Sequence, residues 1–274
     1  MTLDLLHTAS HWALVFAGAS LVLFSLLLFF HLTRGVLATG GLVNTERFRA
    51  VEAGVAAGLC VLFFNAIASA FQHVARTISQ DDVAASATVY AMVLVLVGAF
   101  LKVRGFSFRK DFGMHTEGLR MIPQGLLLLV AFLPLAIGTN LLVQHFLLSP
   151  NEVRPQEIVE FVTQAVKTEN KKAIWITVLM AIVVAPVAEE FLFRGFIYGA
   201  CKRFCGVLPA LMFTSALFGA VHTNKAALLP LFMLAIVLNV AYERTGSLLV
   251  PIVMHMGFNS IMILGILQSG GAFT

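Results

Sequence analysis

The residues of this chain best suited to do chemistry lie in three short stretches of its final third. The first, VAPVAEEFLFRG, covers residues 184 to 195 and sets Glu189, Glu190 and Arg194 in an otherwise apolar run. The second, FGAVH, ends in His222, and the third, HMGFN, holds His255 and Asn259 one helical turn apart. An ionisable group at mid-bilayer costs about 2.5–3.5 kcal/mol on insertion scales, so each of these is a candidate site residue by default. Neighbours on a helix diverge by about 100°, so Glu189 and Glu190 are expected to face different ways. Glu190 and Arg194, four apart, share a face in the favoured order of a helical ion pair. Glu189 is left without a partner on its own helix, the setting in which a buried carboxylate serves as general base or acid near neutral pH. A glutamate can take a proton from water, a histidine can orient that water, and a His/Asn pair can donate hydrogen bonds to a developing oxyanion. Such a set suffices for peptide hydrolysis without a covalent nucleophile. On these residues alone the other reading stays open, in which the charged trio is a structural knot or marks the end of a span.

The elements that must position them follow from composition. Of 274 residues, 59% are hydrophobic and only 12% charged, against roughly 25% charged in an average soluble domain. The mean hydropathy is +0.92. The chain therefore reads as an all-α, polytopic integral membrane protein of about eight transmembrane helices. The apolar runs place spans near 12–33, 52–73, 84–103, 122–147, 173–199, 206–222, 226–242 and 247–268. The last three are short or tightly linked, which admits a re-entrant or tilted segment. The start, MTLDLLHTASH, has no Lys or Arg, so the first run is expected to be a retained span rather than a signal peptide. Residues 149–172 are polar, with Ile158, Phe161, Val162 and Val166 at helical spacing, as in a short interfacial helix. Three parts result: a four-helix region over 1–148, the polar loop or interfacial helix over 149–172, and a catalytic membrane core over 173–274.

A net charge of +4 does not imply nucleic acid, because the basic residues sit in short links where they set topology. The links after spans one, three, five and seven carry most of them, Arg47, Arg109, Lys110, Lys202 and Arg244 included. That bias makes those links cytoplasmic and both termini external, in what is expected to be the cell (inner) membrane. Cys60, Cys201 and Cys205 are an odd number without paired metal-ligand spacing, which argues against a disulfide framework or zinc knuckle. Asn65, Gln72, His73, Asn140, Gln144 and His145 in the first four spans lie mostly near span ends and read as interfacial or packing residues.

Other chemistries fit less well. There is no HExxH and no G-x-S-x-G, and no pair of membrane aspartates for a carboxylate dyad. One glutamate and two histidines leave zinc open in principle. A proton-coupled transporter also uses intramembrane Glu and His, but the halves show no clear repeat and the polar residues cluster at one end.

In this order and on successive apolar segments, EEFLFR, FGAVH and HMGFN resemble the E-E-x-x-x-R, F-x-x-x-H and H-x-x-x-N motifs of the CPBP family. These are CAAX proteases and bacteriocin-processing enzymes, intramembrane glutamic endopeptidases related to the Rce1-type prenyl protease. The likeness covers roughly residues 172–265, and TGSLLVPIVMHMGFN resembles the family's run into its last motif. The resemblance implies that Glu189 and His222 activate the attacking water, that His255 and Asn259 form the oxyanion hole, and that Glu190 and Arg194 support the site. It implies no metal and no cofactor. The implied partners are the bilayer and a membrane-associated or lipidated peptide, a prenylated CAAX protein for Rce1-type members. A non-catalytic scaffold or bacteriocin-immunity protein and a zinc-dependent membrane protease are the alternatives.

Overall fold

The computed structural model describes residues 2–70, 79–149 and 156–269, so Gln72 and His73, and residues 150–155 of the polar loop, lie outside the described residues. Eleven helices are described: α1 Thr2–Thr39, α2 Ala50–Ala70, α3 Gln80–Val103, α4 Phe108–Asp111, α5 Thr116–Arg120, α6 Ile122–Leu147, α7 Glu157–Lys167, α8 Lys171–Cys205, α9 Val207–Val221, α10 Lys225–Thr245 and α11 Leu249–Gln268. Seven of them (α1, α2, α3, α6, α8, α10 and α11) are long and apolar enough to cross a bilayer. The protein is a multi-pass integral membrane protein, with no strand among the described residues.

The eighth apolar helix, α9, has 15 residues. At 1.5 Å per residue it is about 22 Å long, short of a hydrocarbon core of about 30 Å. It follows α8 directly across Gly206, whose φ of +81° turns the chain back. The expected fifth span therefore runs on to Cys205 instead of stopping near residue 199, and the sixth is shorter than a full straight crossing. That difference brings two site residues level. Counting from the turn, Glu189 lies about 24 Å along α8 and His222 about 22 Å along α9, and π-helical turns in α8 shorten the first figure slightly. At its far end α9 stops because Thr223 takes a left-handed conformation (φ +51°) and the Asn224 side chain accepts a hydrogen bond from the Ala227 N–H to start α10.

Within the polar stretch 149–172 a helix, α7, forms over Glu157–Lys167. Its apolar face buries Val162 against Ile263 and Ile266 of α11, with Val178, Ala181 and Ile182 of α8 alongside. Asn170 caps the start of α8 through the Ala173 N–H.

Buried polar staples fix the end of the bundle near Gly206. Glu243, fully buried on α10, accepts from the Tyr198 hydroxyl, the Lys202 ammonium and the Val43 N–H. Glu52 is also buried; it accepts from Arg104 at 2.6 Å and from the Arg49 N–H at 2.7 Å. In the 104–121 segment Phe112 stacks on Phe106 and packs against Phe108, and Phe108 and Phe112 both pack against Phe191 of α8. Ser247 donates to the Gly113 carbonyl and the Leu248 N–H to the Phe112 carbonyl, which roots the start of α11 inside the protein. Farther along, α6 and α11 cross at two glycines: a Cβ at Gly125 would lie 2.6 Å from Val250, and one at Gly257 would lie 2.8 Å from Leu129. A larger residue at either glycine would push these side chains aside, so the small residues let α6 and α11 pack closely beside His255 and Asn259.

Candidate active site

Helix α8 carries the first motif and is not a plain α-helix. It widens to π-helical geometry over Met180–Val184 and again over Phe191–Tyr198, on either side of the glutamate pair. Single π-turns of this kind concentrate at functional sites. The first has a local cause. Pro186 has no N–H and its ring crowds the carbonyl one turn back. The helix opens so that the Ala185 N–H bonds the Met180 carbonyl, five residues earlier. In that register the Ala181 carbonyl would next look to residue 186, a proline, which has nothing to donate. Asn259 of α11 takes up this carbonyl instead, with its Nδ2 2.7 Å from the Ala181 oxygen. Because a carbonyl only accepts, the contact also fixes which way the Asn259 amide points and leaves its second N–H for another partner.

The expected Glu190–Arg194 pair is present, with Arg194 Nη1 2.9 Å from Glu190 Oε1. Both side chains are essentially inaccessible, at 0% and 1%. Arg194 also donates from Nη2 to the Ala235 carbonyl of α10 at 3.3 Å and lies 4.5 Å over the ring of Phe218, the first residue of the second motif. Arg194 is thus spent on Glu190, the π-face and α10. One turn along α10 from Ala235, buried Asn239 donates to Thr214 and Ser215 of α9. Glu190 Oε2, Arg194 Nε and Asn239 Oδ1 are buried without a protein partner, as in polar interiors that hold internal water.

Glu189 and Glu190 diverge around the helix as their spacing suggests, yet both reach the same side chain. The imidazole of His255 lies between them, its Nδ1 2.8 Å from Glu190 Oε1 and its Nε2 4.0 Å from Glu189 Oε2. The two ring nitrogens point away from each other, so one wedged ring meets two carboxylates that diverge around the helix. Since a carboxylate accepts, His255 Nδ1 carries hydrogen; Nε2 donates when it too is protonated and accepts when it is not. The 4.0 Å gap is too long for a direct hydrogen bond.

Glu189 is half-buried and has no arginine partner among the described residues, but it is not alone. Its Oε1 accepts a hydrogen bond of 2.7 Å from the hydroxyl of Tyr90 on α3. The site is therefore not built by the closing spans alone. His222 follows the last turn of α9, with Nδ1 2.8 Å from the Phe218 carbonyl. That carbonyl requires the hydrogen on Nδ1, so the neutral ring presents the Nε2 lone pair. The Phe218 ring packs edge-on to His255 at 5.8 Å and against His222 at 5.0 Å, joining the two histidines through one aromatic.

Half-buried Tyr90 and buried Glu52, Asn239 and Glu243 are among the polar residues that the motifs do not mark. Tyr90 has a faint signal: it stands in the heptad-spaced seam Val83, Ala87, Tyr90, Leu94, Val97 and Leu101, where the other members are apolar. Among the described residues no three or more His, Cys, Asp or Glu side chains are gathered as metal ligands would be, whereas a catalytic zinc takes three. The cysteines are free. Asn140 and Gln144 bond each other along α6, and His145 bonds the Leu141 carbonyl one turn back, as packing or interfacial residues do. Asn65 is exposed on α2.

Residues 171–261, from the start of α8 to just past Asn259, match the family described as type II CAAX prenyl endopeptidase Rce1-like. All six motif residues fall inside that segment. An Escherichia coli protein described as "Uncharacterized 24.3 kDa protein" is 32% identical over 124 residues, 43% of this chain and 56% of that protein. A Bacillus subtilis (strain 168) protein described as "Putative membrane peptidase YdiL" is 28% identical over 93 residues, 34% of this chain and 38% of that protein. The chain thus spans little more than half of the first relative and under two fifths of the second. No solved structure matches the chain.

Proposed function

We propose, on the match of residues 171–261 to the Rce1-like type II CAAX prenyl endopeptidase family, that the protein is an intramembrane glutamic endopeptidase that hydrolyses a membrane-associated peptide with activated water and no metal. The observation that carries this reading is the division of labour between the glutamates. Arg194 is committed to Glu190, so among the described residues Glu189 faces the site with no arginine or lysine partner, Oε2 turned toward His255. A carboxylate so placed is a base rather than half of a salt bridge.

In the reaction, Glu189 Oε2 takes one proton of a water molecule while His222 Nε2 accepts a hydrogen bond from the other. The water oxygen bonds to the scissile carbonyl carbon and the carbonyl π-electrons move onto oxygen. The free N–H of Asn259 and a protonated Nε2 of His255 donate to that oxyanion. The tetrahedral intermediate collapses, the C–N bond breaks, and Glu189 returns its proton to the departing nitrogen. A carboxylic acid and an amine result, the acid then gives its proton to solvent, and the enzyme is restored. Glu190 orients His255 through Nδ1, as the carboxylate of a hydrolytic triad orients its histidine, and Arg194 neutralises Glu190. The substrate class this reading favours is a prenylated CAAX-type protein, since a membrane-depth site can hold a lipid tail beside the scissile bond.

The test is cleavage by purified protein in detergent or liposomes, using prenylated and unmodified reporter peptides, with and without chelator, for wild type and Glu189→Ala. Chelator-insensitive cleavage lost in Glu189→Ala is the expected result. Cleavage that survives the substitution overturns the reading, loss with chelator points to a zinc protease, and binding without turnover points to a scaffold.

A further inference from the structure

We infer that Tyr90, on α3 and outside the matched segment, is a positioning residue for the reaction: it fixes the Glu189 carboxylate so that Oε2 is the reacting oxygen. The inference rests on the proposed role of Glu189 and extends the site to a helix that no motif marks. Tyr90 stands midway along α3 in the seam that packs against α8. Flanking residues Val89, Met92, Val95 and Leu96 are exposed on the apolar outer face of the helix. Tyr90 is half-buried, and its hydroxyl lies 2.7 Å from Glu189 Oε1. A tyrosine hydroxyl in such a place needs a partner, and an apolar side chain would fill the seam without that demand.

The polarity of the bond is set by chemistry. A carboxylate oxygen can only accept, so the phenol donates and Oε1 has one lone pair engaged. Oε2 has no such donor and is the oxygen facing His255 Nε2. The other charged or titratable groups around the pair are Glu190 and Arg194 on α8 and His255 on α11, and their shortest contacts are with one another or with main-chain carbonyls. Among the described residues, Tyr90 is thus the one neutral donor that the structure places on the proposed base. It holds the plane of the carboxylate, and general-base catalysis is sensitive to small misplacements of the base.

The inference is tested with Tyr90→Phe, which keeps the ring and its packing and removes only the hydroxyl. Three further variants accompany it: Val97→Ala in the same seam, Glu189→Gln, and the Tyr90→Phe/Glu189→Gln double substitution. The readouts are kcat, KM and Tm in the same detergent. Tyr90→Phe is expected to lower kcat roughly 10- to 100-fold, the range of a lost hydrogen bond to a charged group, with KM and Tm near wild type. Val97→Ala is expected to lower Tm and leave kcat unchanged. In the Glu189→Gln background, Tyr90→Phe is expected to add no further loss, because the group it positions is already gone. A wild-type kcat for Tyr90→Phe overturns the inference, as does a kcat loss matched by a fall in Tm or fully additive with Glu189→Gln. Should Glu189→Gln itself keep its rate, the proposed function fails first, a result distinct from Tyr90→Phe being silent while Glu189→Gln is dead.

Discussion

Replacing Arg194 by methionine removes the cation from a pair that is sealed from solvent, with exposures of 1% for Arg194 and 0% for Glu190. Breaking a buried ion pair from one side costs about 3–5 kcal/mol, because the remaining charge is uncompensated. Glu190 would keep one donor, His255 Nδ1 at 2.8 Å, which places the loss near the lower end, about 3 kcal/mol. Methionine fills most of the arginine stem's volume and can still lie on Phe218, so packing contributes little. At about 2–4 °C per kcal/mol for a protein of this size, Tm should fall by about 6–12 °C. Adding Glu190→Gln should recover more than half of that, because a glutamine accepts from His255 without carrying charge. Arg194→Lys should cost less, about 1–2 kcal/mol, since one ammonium cannot reach both Glu190 Oε1 and the Ala235 carbonyl while lying flat on Phe218. The assay is thermal unfolding in one detergent, arranged as a double-mutant cycle. An Arg194→Met protein within about 1 kcal/mol of wild type, or a double variant no better than the single, would refute the claim that Arg194 chiefly neutralises Glu190.

Two other substitutions probe the scaffold. Pro186→Ala restores an N–H opposite the Ala181 carbonyl, so the helix is expected to close over Met180–Val184 and displace Asn259; Tm should hold or rise while kcat falls about tenfold or more, toward that of Asn259→Ala. An unchanged kcat would show that Asn259 is held by something else. Glu243→Ala should cost about 3–5 kcal/mol in thermal unfolding, by stranding Lys202 and the Tyr198 hydroxyl in the core, while the protein that remains folded keeps its kcat. A catalytic defect without a stability loss would mean that Glu243 belongs to the site.

The membrane-spanning character and the order of the motif helices were legible because both are local. Apolar runs report spans, and Glu190 with Arg194 four residues on reports a pair. What was not legible depends on partners far along the chain. Hydropathy cannot tell a helix that ends near residue 199 from one that continues through Lys202 and Arg203, because those charges read as a link until Glu243 is seen to receive Lys202. The helical wheel separated Glu189 from Glu190 correctly in angle. It could not know that one imidazole would lie between them, or that Pro186 would open the preceding turn and free a carbonyl for Asn259. Tyr90 escaped because a tyrosine in an apolar seam looks like packing until its hydroxyl is located.

The central claim is the asymmetry of the two glutamates, and the most direct measurement compares the kcat of Glu189→Gln and Glu190→Gln in folded protein on one reporter peptide. Both substitutions keep shape and remove charge. Glu189→Gln is expected to lose about 10²–10⁴ in kcat, the contribution of a general base, and Glu190→Gln to keep a measurable rate with a changed Tm. An inactive but well-folded Glu190→Gln beside an active Glu189→Gln would contradict it.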